Sequence, residues 1–318
     1  MERKFTGGGK IDPELKSKYL LITPAKNEEQ NLPEVSKAII AQNVKPALWV
    51  IVDDGSTDKT SSIIESLKSS YPWIQSTKLP PRPRDITFHY SYVCKQGFDY
   101  ALEYCNQNKL EFGCIGLLDA DTIIEENYFG KLLIEFEKDS TLGIASGGVY
   151  YNIEGKLSRE MTDKNLPRGT GRLWKKDCFI ETGGYLVEPS PDSISNIKAF
   201  LRGWKIAQYP DIVQIQTRQT SAASGLWHGY MKNGWMAYYL GKNFLAAMLN
   251  VFYRSAKYPY YPGIAYFWGY VTSAIRGEKR IQDPEIRAYY KNQGVPGLYS
   301  RVTGTFSRNS RNIEQREP

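Results

Sequence analysis

The sequence lacks the signals of zinc fingers, secreted disulfide scaffolds and membrane spans. Its 318 residues include four cysteines (Cys94, Cys105, Cys114 and Cys178), and no two form a Cys-x-x-Cys pair. We therefore expect buried thiols in a reducing compartment, without a disulfide framework. No run of 18 uncharged apolar residues occurs, and the N-terminal stretch lacks a signal-peptide core. These absences predict a cytoplasmic location.

Two glycine-rich phosphate-binding signatures are also absent. No Gly-x-Gly-x-x-Gly follows the first predicted strand, and no Gly-x-x-x-x-Gly-Lys-Ser/Thr occurs anywhere. Such loops hold phosphate groups with backbone amides. If a phosphorylated ligand binds here, a metal ion must supply the positive charge.

Tyrosine and basic charge are in excess, and both are concentrated in the last third of the chain. The net charge is +7, yet residues 1–215 hold 27 basic and 29 acidic side chains. Residues 216–318 hold fourteen basic and five acidic side chains, and twelve of the 23 tyrosines lie between Tyr230 and Tyr299. This shift predicts a domain boundary near residue 217. The expected segments are an N-terminal tail (1–17), a catalytic domain (18–217), a basic aromatic helical region (218–299) and a disordered tail (300–318).

Strand and helix patterns alternate through the first two-thirds. Short apolar runs predict strands at 19–23, 47–52, 114–118 and 142–151, and helical spacing separates them at 31–41, 57–69, 97–106 and 127–138. This order predicts an α/β fold with a mostly parallel sheet and helices on both faces. Residues 226–253 and 263–275 add a C-terminal helical extension, whose apolar stretches are too short to span a bilayer.

Polar clusters follow three of the predicted strands, at residues 24–29, 53–58 and 119–121. The carboxyl ends of parallel strands meet at one edge of a sheet, where ligands bind. Asp119 and Asp121 stand two apart, so in extended chain they face the same side. Carboxylates suit Mg²⁺ or Mn²⁺, which bridge diphosphate oxygens. Each cluster by itself could merely cap a helix, but three at one edge favour a ligand site.

At this point four segments carry a resemblance: TPAKNEE (23–29), VDDGSTD (52–58), LLDADT (117–122) and RGTGRLWKKDCFIETGGY (168–185). In this order they resemble the family 2 glycosyltransferases of the Rossmann-like GT-A fold, over roughly residues 18–217. The resemblance implies a nucleotide-sugar donor, linked to UDP or GDP, and a Mn²⁺ or Mg²⁺ cofactor.

The resemblance also implies roles for individual residues. Asp119 would lie near the ribose or donor sugar and, with Asp121, would bind the metal. Lys95 would reach the donor, and Arg172 would lie near the diphosphate or the acceptor. The residues implied near the nucleoside are Pro24, Lys26, Glu28, Asp53 and Asp54.

Sugar transfer with inversion needs a carboxylate that accepts the proton of the acceptor hydroxyl. The family places an acid eleven residues before a glycine–aromatic pair, and this spacing selects Asp192, ahead of Gly203 and Trp204. Asp192 is therefore the candidate catalytic base, although it also suits the cap of a helix. Glu188 is a weaker alternative. Many relatives carry a second acid three residues further on, where this chain has Ser195.

The basic aromatic third suits the membrane interface, with tyrosine at headgroup depth and cations facing anionic lipid. Packing against the catalytic core is an equal alternative, and nucleic acid is disfavoured because no binding motif supports it. We thus expect a glycosyltransferase at the inner face of the cell membrane with a lipid-linked or polysaccharide acceptor. The alternatives are a nucleotidyltransferase and a non-catalytic nucleotide-sugar-binding or membrane-scaffold protein.

Overall fold

The chain divides into two compact units, Met1–Arg218 and Gln219–Pro318. The computed structural model describes residues 18–82, 88–153, 156–159, 166–217, 226–256 and 258–292. The tails predicted at 1–17 and 300–318 lie outside these residues.

A single sheet organises the first unit. Within the part of the chain that the structure describes, the sheet has nine strands. They are β1 (Tyr19–Ala25), β2 (Leu48–Asp53), β3 (Ile74–Lys78), β4 (Cys114–Leu117), β5 (Thr122–Ile124), β6 (Leu142–Ile153), β7 (Lys156–Arg159), β8 (Arg172–Lys175) and β9 (Lys205–Gln216). The helices of this unit are α1 (Leu32–Ile40), α2 (Thr60–Ser70), α3 (Phe88–Asn108), α4 (Tyr128–Lys138), α5 (Lys176–Glu181) and α6 (Pro191–Leu201).

The strand order is β3-β2-β1-β4-β8-β6-β9-β5, with β7 paired to β6. Strands β3, β2, β1 and β4 run parallel, as do β6 and β9. Strand β8 runs antiparallel between β4 and β6, and β5 runs antiparallel to β9. The carboxyl ends of β1, β2 and β4 therefore share one edge, as the polar clusters predicted.

Successive side chains of the central strands point to opposite faces of the sheet and form a hydrophobic core on each face. Tyr19 and Leu21 pack with residues of α1 and α4 on one face, whereas Leu20 and Ile22 pack with residues of α3 and α5 on the other. Because β1 is buried on both sides, it is apolar at nearly every position, which is typical of a parallel strand covered by helices.

Several elements differ from the expected pattern. Helix α3 starts at Phe88, nine residues before the predicted start, because it begins shortly after the proline-rich loop. Strands β3, β5 and β8 were not predicted from sequence. Strand β3 carries the polar sequence IQSTK, and the other two are only three and four residues long. In strands that are short or polar, the apolar residues do not alternate regularly enough to predict a strand.

The second unit contains helices α7 (Leu226–Tyr239), α8 (Phe244–Ser255), α9 (Pro262–Ile275) and α10 (Pro284–Asn292). The predicted helical stretch 226–253 is broken at Gly241, which adopts a left-handed φ of 79°. Tyrosines on α7 and α9 form a small core with alanines of α7 and α8. Among the helices that the structure describes, none has the length and apolar character needed to cross a membrane.

Candidate active site

The first two polar clusters are hydrogen-bonded to each other. The amide of Asn27 donates to Ser56 Oγ at 3.0 Å, and the amide of Thr57 donates to Asn27 Oδ1 at 2.8 Å. One step further on, the amide of Glu28 donates to Thr60 Oγ1 at 2.7 Å. Asn27 adopts a left-handed φ of 54°, a conformation that asparagine tolerates better than most residues. The loops after β1 and β2 therefore form one polar surface.

Asp54 and Lys26 are paired within this surface. Lys26 Nζ lies 3.1 Å from Asp54 Oδ2 and donates to the carbonyl oxygens of Asp54 and Arg82, both at 2.7 Å. His89 Nε2 lies 2.8 Å from the other carboxylate oxygen of Asp54. Both oxygens of Asp54 are thus engaged by nitrogen atoms. His89 was not predicted from sequence, because it is 35 residues away along the chain.

Asp53 and Glu28 are almost fully buried. Asp53 Oδ1 accepts from the amide of Ser56 at 2.8 Å, and its other oxygen accepts from the hydroxyl of Ser61. Glu28 Oε2 accepts from the side-chain nitrogen Nδ2 of Asn31 at 2.8 Å. Pro24, the remaining residue predicted near the nucleoside, lies in β1 in register with Val52.

A polar pocket of about 420 Å³ opens beside these loops. Its wall includes Thr217, whose amide and hydroxyl both donate to the carbonyl oxygen of Asp121, at 3.0 and 3.2 Å. The pocket therefore adjoins the Asp-x-Asp segment as well as the first two clusters. Its lining residues are Asn27, Glu29, Gln30, Asn31, Asp58 and Thr217.

Asp119 is held from two sides where β4 ends. Tyr90 donates its hydroxyl to Asp119 Oδ1 at 2.6 Å, and the amide of Asp119 donates to Thr170 Oγ1 at 2.9 Å. Burial and the neighbouring charge of Asp121 raise the pKa of Asp119, whereas the hydrogen bond from Tyr90 lowers it. The two negative charges therefore disfavour each other, on side chains that are both only partly exposed.

These residues fit a divalent cation, whose charge would offset both the burial and the repulsion between Asp119 and Asp121. No group of three or more histidine, cysteine or acidic side chains placed to hold a metal occurs among the described residues. The remaining positions around such a cation would fall to water and to ligand oxygens, as is usual for Mg²⁺ bound with phosphates.

Two tyrosines, the partly buried Tyr90 and the buried Tyr185, interact by hydrogen bonding with Cys94. Burial raises the pKa of Tyr185, and the charges of Cys94, Asp192 and Asp119 raise it further. The sequence marked Tyr185 only as the end of a Gly-Gly-Tyr segment. Asp119 and Asp192 are 73 residues apart in the sequence, and the segment of Gly169 and Thr170 adjoins both of them.

Asp192 lies in the first turn of α6 and is partly exposed. Gly169 lies beside it, such that a methyl group on Gly169 would stand 3.8 Å from Asp192 Oδ2. Ser190, just ahead of α6, has a left-handed φ of 55° and makes no side-chain cap.

Two other predicted residues have local partners. Lys95 lies on α3 and contacts both carboxylate oxygens of Asp99 at 2.7 Å, one helical turn away. Arg172 is fully buried at the start of β8, where its guanidinium is bonded to backbone and side-chain oxygens within the protein.

The fold agrees with a comparison to known families. Residues 20–203, more than half of the chain, match the family described as glycosyl transferase family 2. The chain belongs to this family, and the resemblance noted in the sequence is confirmed.

Two known proteins illustrate the relationship. The chain is 21% identical over 221 residues to poly-beta-1,6-N-acetyl-D-glucosamine synthase of Staphylococcus aureus, covering 63% of this chain and 50% of that protein. The chain thus spans about half the length of the curated relatives it matches. The crystal structure of S. aureus TarS 1-349 in complex with UDP-GlcNAc is 16% identical, with a TM-score of 0.51 over 69% of this chain and 65% of that one. The predicted GT-A fold is confirmed.

Proposed function

We propose that this protein is an inverting, metal-dependent glycosyltransferase that moves a sugar from a UDP- or GDP-linked donor to a lipid-linked or polysaccharide acceptor. The observation that supports the proposal is that neighbouring residues of one segment adjoin both acids: the amide of Asp119 donates to Thr170 Oγ1 at 2.9 Å, and Gly169 lies beside Asp192. A donor-binding carboxylate and a proton acceptor must lie near each other to act on one sugar.

The donor would be held at the edge formed by β1, β2 and β4. Its nucleoside would lie against the joined first two clusters, with Pro24, Lys26, Glu28, Asp53 and Asp54. Asp121, together with Asp119, would hold Mn²⁺ or Mg²⁺. When bound, the cation supplies Lewis-acid stabilisation of the departing nucleoside diphosphate. Lys95 would contribute only if it left its ion pair with Asp99.

Asp192 would accept the proton of the acceptor hydroxyl as that oxygen bonds to C1 of the donor sugar. The bond from C1 to the diphosphate oxygen breaks on the opposite face, so the configuration at C1 inverts. A general base of this kind contributes a factor of roughly 10² to 10⁴ to the rate.

A donor screen tests the proposal directly. Wild-type protein with Mn²⁺ is expected to release nucleoside diphosphate from UDP-N-acetylglucosamine or GDP-mannose. Asp192→Asn should lower turnover by roughly 10³-fold while still binding the nucleotide. Release of pyrophosphate from UTP or GTP in the presence of a sugar 1-phosphate, with no release of nucleoside diphosphate from the sugar donors, would indicate a nucleotidyltransferase. Unchanged turnover in Asp192→Asn would contradict the assignment of the base.

The second unit would dock on an anionic lipid surface at the inner face of the membrane. Several large apolar side chains on α8 and α9 are exposed, and exposed apolar patches often mark sites that bind a protein or a membrane. These side chains are Phe244, Leu245, Phe252, Tyr253, Ile264, Trp268 and Ile275. The excess of basic residues after Gln216 supports an anionic partner.

Vesicle sedimentation tests the membrane proposal. The protein is expected to sediment with vesicles containing phosphatidylglycerol and less with pure phosphatidylcholine, because only the former attract basic residues. Trp268→Glu should weaken this binding, and Ile180→Glu, an equally exposed apolar site in the first unit, should not. Equal sedimentation of all three proteins would contradict the proposal.

A further inference from the structure

We infer that Arg172 is a positioning residue that holds the candidate base Asp192, and is not itself a ligand of the diphosphate or the acceptor, near which the resemblance placed it. The inference rests on the proposed function, since it concerns the orientation of the base. It changes the role of one predicted residue and adds Asn196, which no sequence pattern marked.

Arg172 is anchored in the middle of the sheet. It is the first residue of β8 and pairs with Leu117 of β4 on one side and with Ser146 of β6 on the other. Its side chain has no exposed surface. The guanidinium carbon lies 4.8 Å from the centre of the Trp174 ring, so the charge is also packed against an aromatic face. A side chain held in this way moves little relative to the sheet.

The guanidinium joins the chain before β8 to the first turns of α6. Nη2 donates to the carbonyl oxygen of Pro167 and to Asn196 Oδ1, both at 2.7 Å, and Nη1 donates to the carbonyl oxygen of Asp192 at 3.3 Å. Asn196 Nδ2 donates to the same Pro167 carbonyl at 3.2 Å. Arginine suits this position because its planar fork donates in several fixed directions at once.

Helix α6 depends on these bonds for the placement of its first turn. Its cap residue Ser190 makes no side-chain hydrogen bond and adopts a left-handed φ of 55°. The carboxylate of Asp192 also lies near the guanidinium. Burial lowers the pKa of Arg172 to about 10, and the charge of Asp192 raises it. At neutral pH the guanidinium is therefore charged beside the base.

A direct role in donor binding would require a different arrangement. Nε of Arg172 is buried and has no hydrogen-bond partner among the described residues. Because the Arg172 side chain has no exposed surface, a diphosphate oxygen could reach this atom only if the surrounding residues moved aside. The two roles predict different kinetics, because a ligand of the donor affects binding, whereas a residue that positions the base affects turnover.

The test compares Arg172→Lys and Asn196→Ala with wild type, with Arg202→Lys as a matched control at the far end of α6. Binding of UDP in the presence of Mn²⁺ is measured by calorimetry. Turnover is measured with UDP-N-acetylglucosamine and GDP-mannose as donors. Amide hydrogen exchange over residues 188–200 is followed by mass spectrometry. We expect kcat to fall by roughly 10²-fold, donor KM and UDP affinity to stay within about threefold, and exchange over 188–200 to accelerate. Asn196→Asp, which keeps the acceptor oxygen for Arg172, should recover most of the turnover. The control should behave as wild type.

Two results would overturn the inference: UDP affinity reduced tenfold or more at unchanged kcat, or unchanged kcat and exchange in both variants. If Arg172→Lys does not fold, Asn196→Ala decides by the same measurements. If wild type releases no nucleoside diphosphate from either donor, the proposed function fails. In that case the rate of amide hydrogen exchange over residues 188–200, compared between the variants and wild type, still decides whether Arg172 holds Asp192.

Discussion

In the first unit, acidic side chains that follow the strands are held by hydrogen bonds, whereas in the second unit two arginines lie on the faces of tyrosine rings. Asp54 is engaged by Lys26 and His89. In the second unit Arg254 lies 5.2 Å from the ring centre of Tyr266, and Arg280 lies 4.4 Å from that of Tyr238. The strand ends gather charge around a candidate ligand site, while these two arginines complete the packing around aromatic residues.

The largest expected effect concerns the acidic residues that follow the strands of the first unit. Asp121→Ala should lower kcat by roughly 10³-fold, because the stabilisation of the leaving diphosphate is lost. Thermal unfolding should change little, since Asp121 lies at the end of a strand and is partly exposed. Asp177→Ala, which removes an exposed carboxylate from α5, is the control. Equal activity of the two variants would show that Asp121 does not serve the reaction.

Glycines show the packing side of the comparison. A methyl group on Gly234 of α7 would stand 1.9 Å from the carbonyl oxygen of Tyr266 on α9, so the two helices touch through backbone. Gly234→Ala should destabilise the second unit by about 2–3 kcal/mol through overpacking. Gly229→Ala, in the same helix with open space around it, should stabilise by about 0.5–1 kcal/mol through helix propensity. Melting followed by circular dichroism would contradict this packing if both variants behaved alike.

Alkaline pH should destabilise the first unit through its buried thiols, all four of which belong to that unit. Burial raises the pKa of Cys114 from 9.0 to about 12, and a smaller effect of Lys175 lowers it. Between these values the unfolded thiol loses its proton while the folded thiol keeps it, so stability falls as pH rises.

The expected slope is about 1.4 kcal/mol per pH unit for each fully buried thiol. Urea unfolding of wild type and Cys114→Ala between pH 9 and 10.5 measures it, and the variant should show the shallower dependence. Identical slopes would mean that Cys114 ionises equally well in the folded protein.

The smallest expected effect concerns one cation on one ring. Arg280→Gln should lower the stability of the second unit by about 0.5–1 kcal/mol, because Tyr238 loses the charge over its face. Arg276→Gln, at the exposed end of α9, serves as the control. If both substitutions lower the free energy of unfolding in urea by the same amount, Arg280 contributes no more to stability than any exposed cation.

Much of the fold and part of the site followed from local patterns in the sequence. The strands β1, β2 and β4 were predictable because both of their faces are buried and their residues are almost all apolar. Asp119 and Asp121 were recognised because they follow a buried strand, but the chain there forms a turn and not the extended segment that was expected: the amide of Thr122 donates to the carbonyl oxygen of Asp119 at 3.1 Å. Strand β8 was not predictable, because four residues are too few to show an alternating hydrophobic pattern. Its antiparallel position also depends on its neighbours β4 and β6.

The partners of the site residues lay beyond the reach of local patterns. Tyr90 contacts Asp119 from 29 residues away, and His89 contacts Asp54 from 35 residues away. Neither tyrosine nor histidine in the first turn of a helix signals such a contact. The resemblance placed Arg172 near the diphosphate or the acceptor, whereas its complete burial depends on where α6 packs.

The sequence by itself determined the alternation of strands and helices, the family, and the acidic residues that follow the strands, since these depend on neighbours within a few positions. Only the tertiary structure decided that Gly169 and Thr170 adjoin Asp192 and Asp119, and that the guanidinium of Arg172 is buried against α6. Those contacts join residues about 20 to 50 positions apart, and the packing of helices on the sheet brings them together.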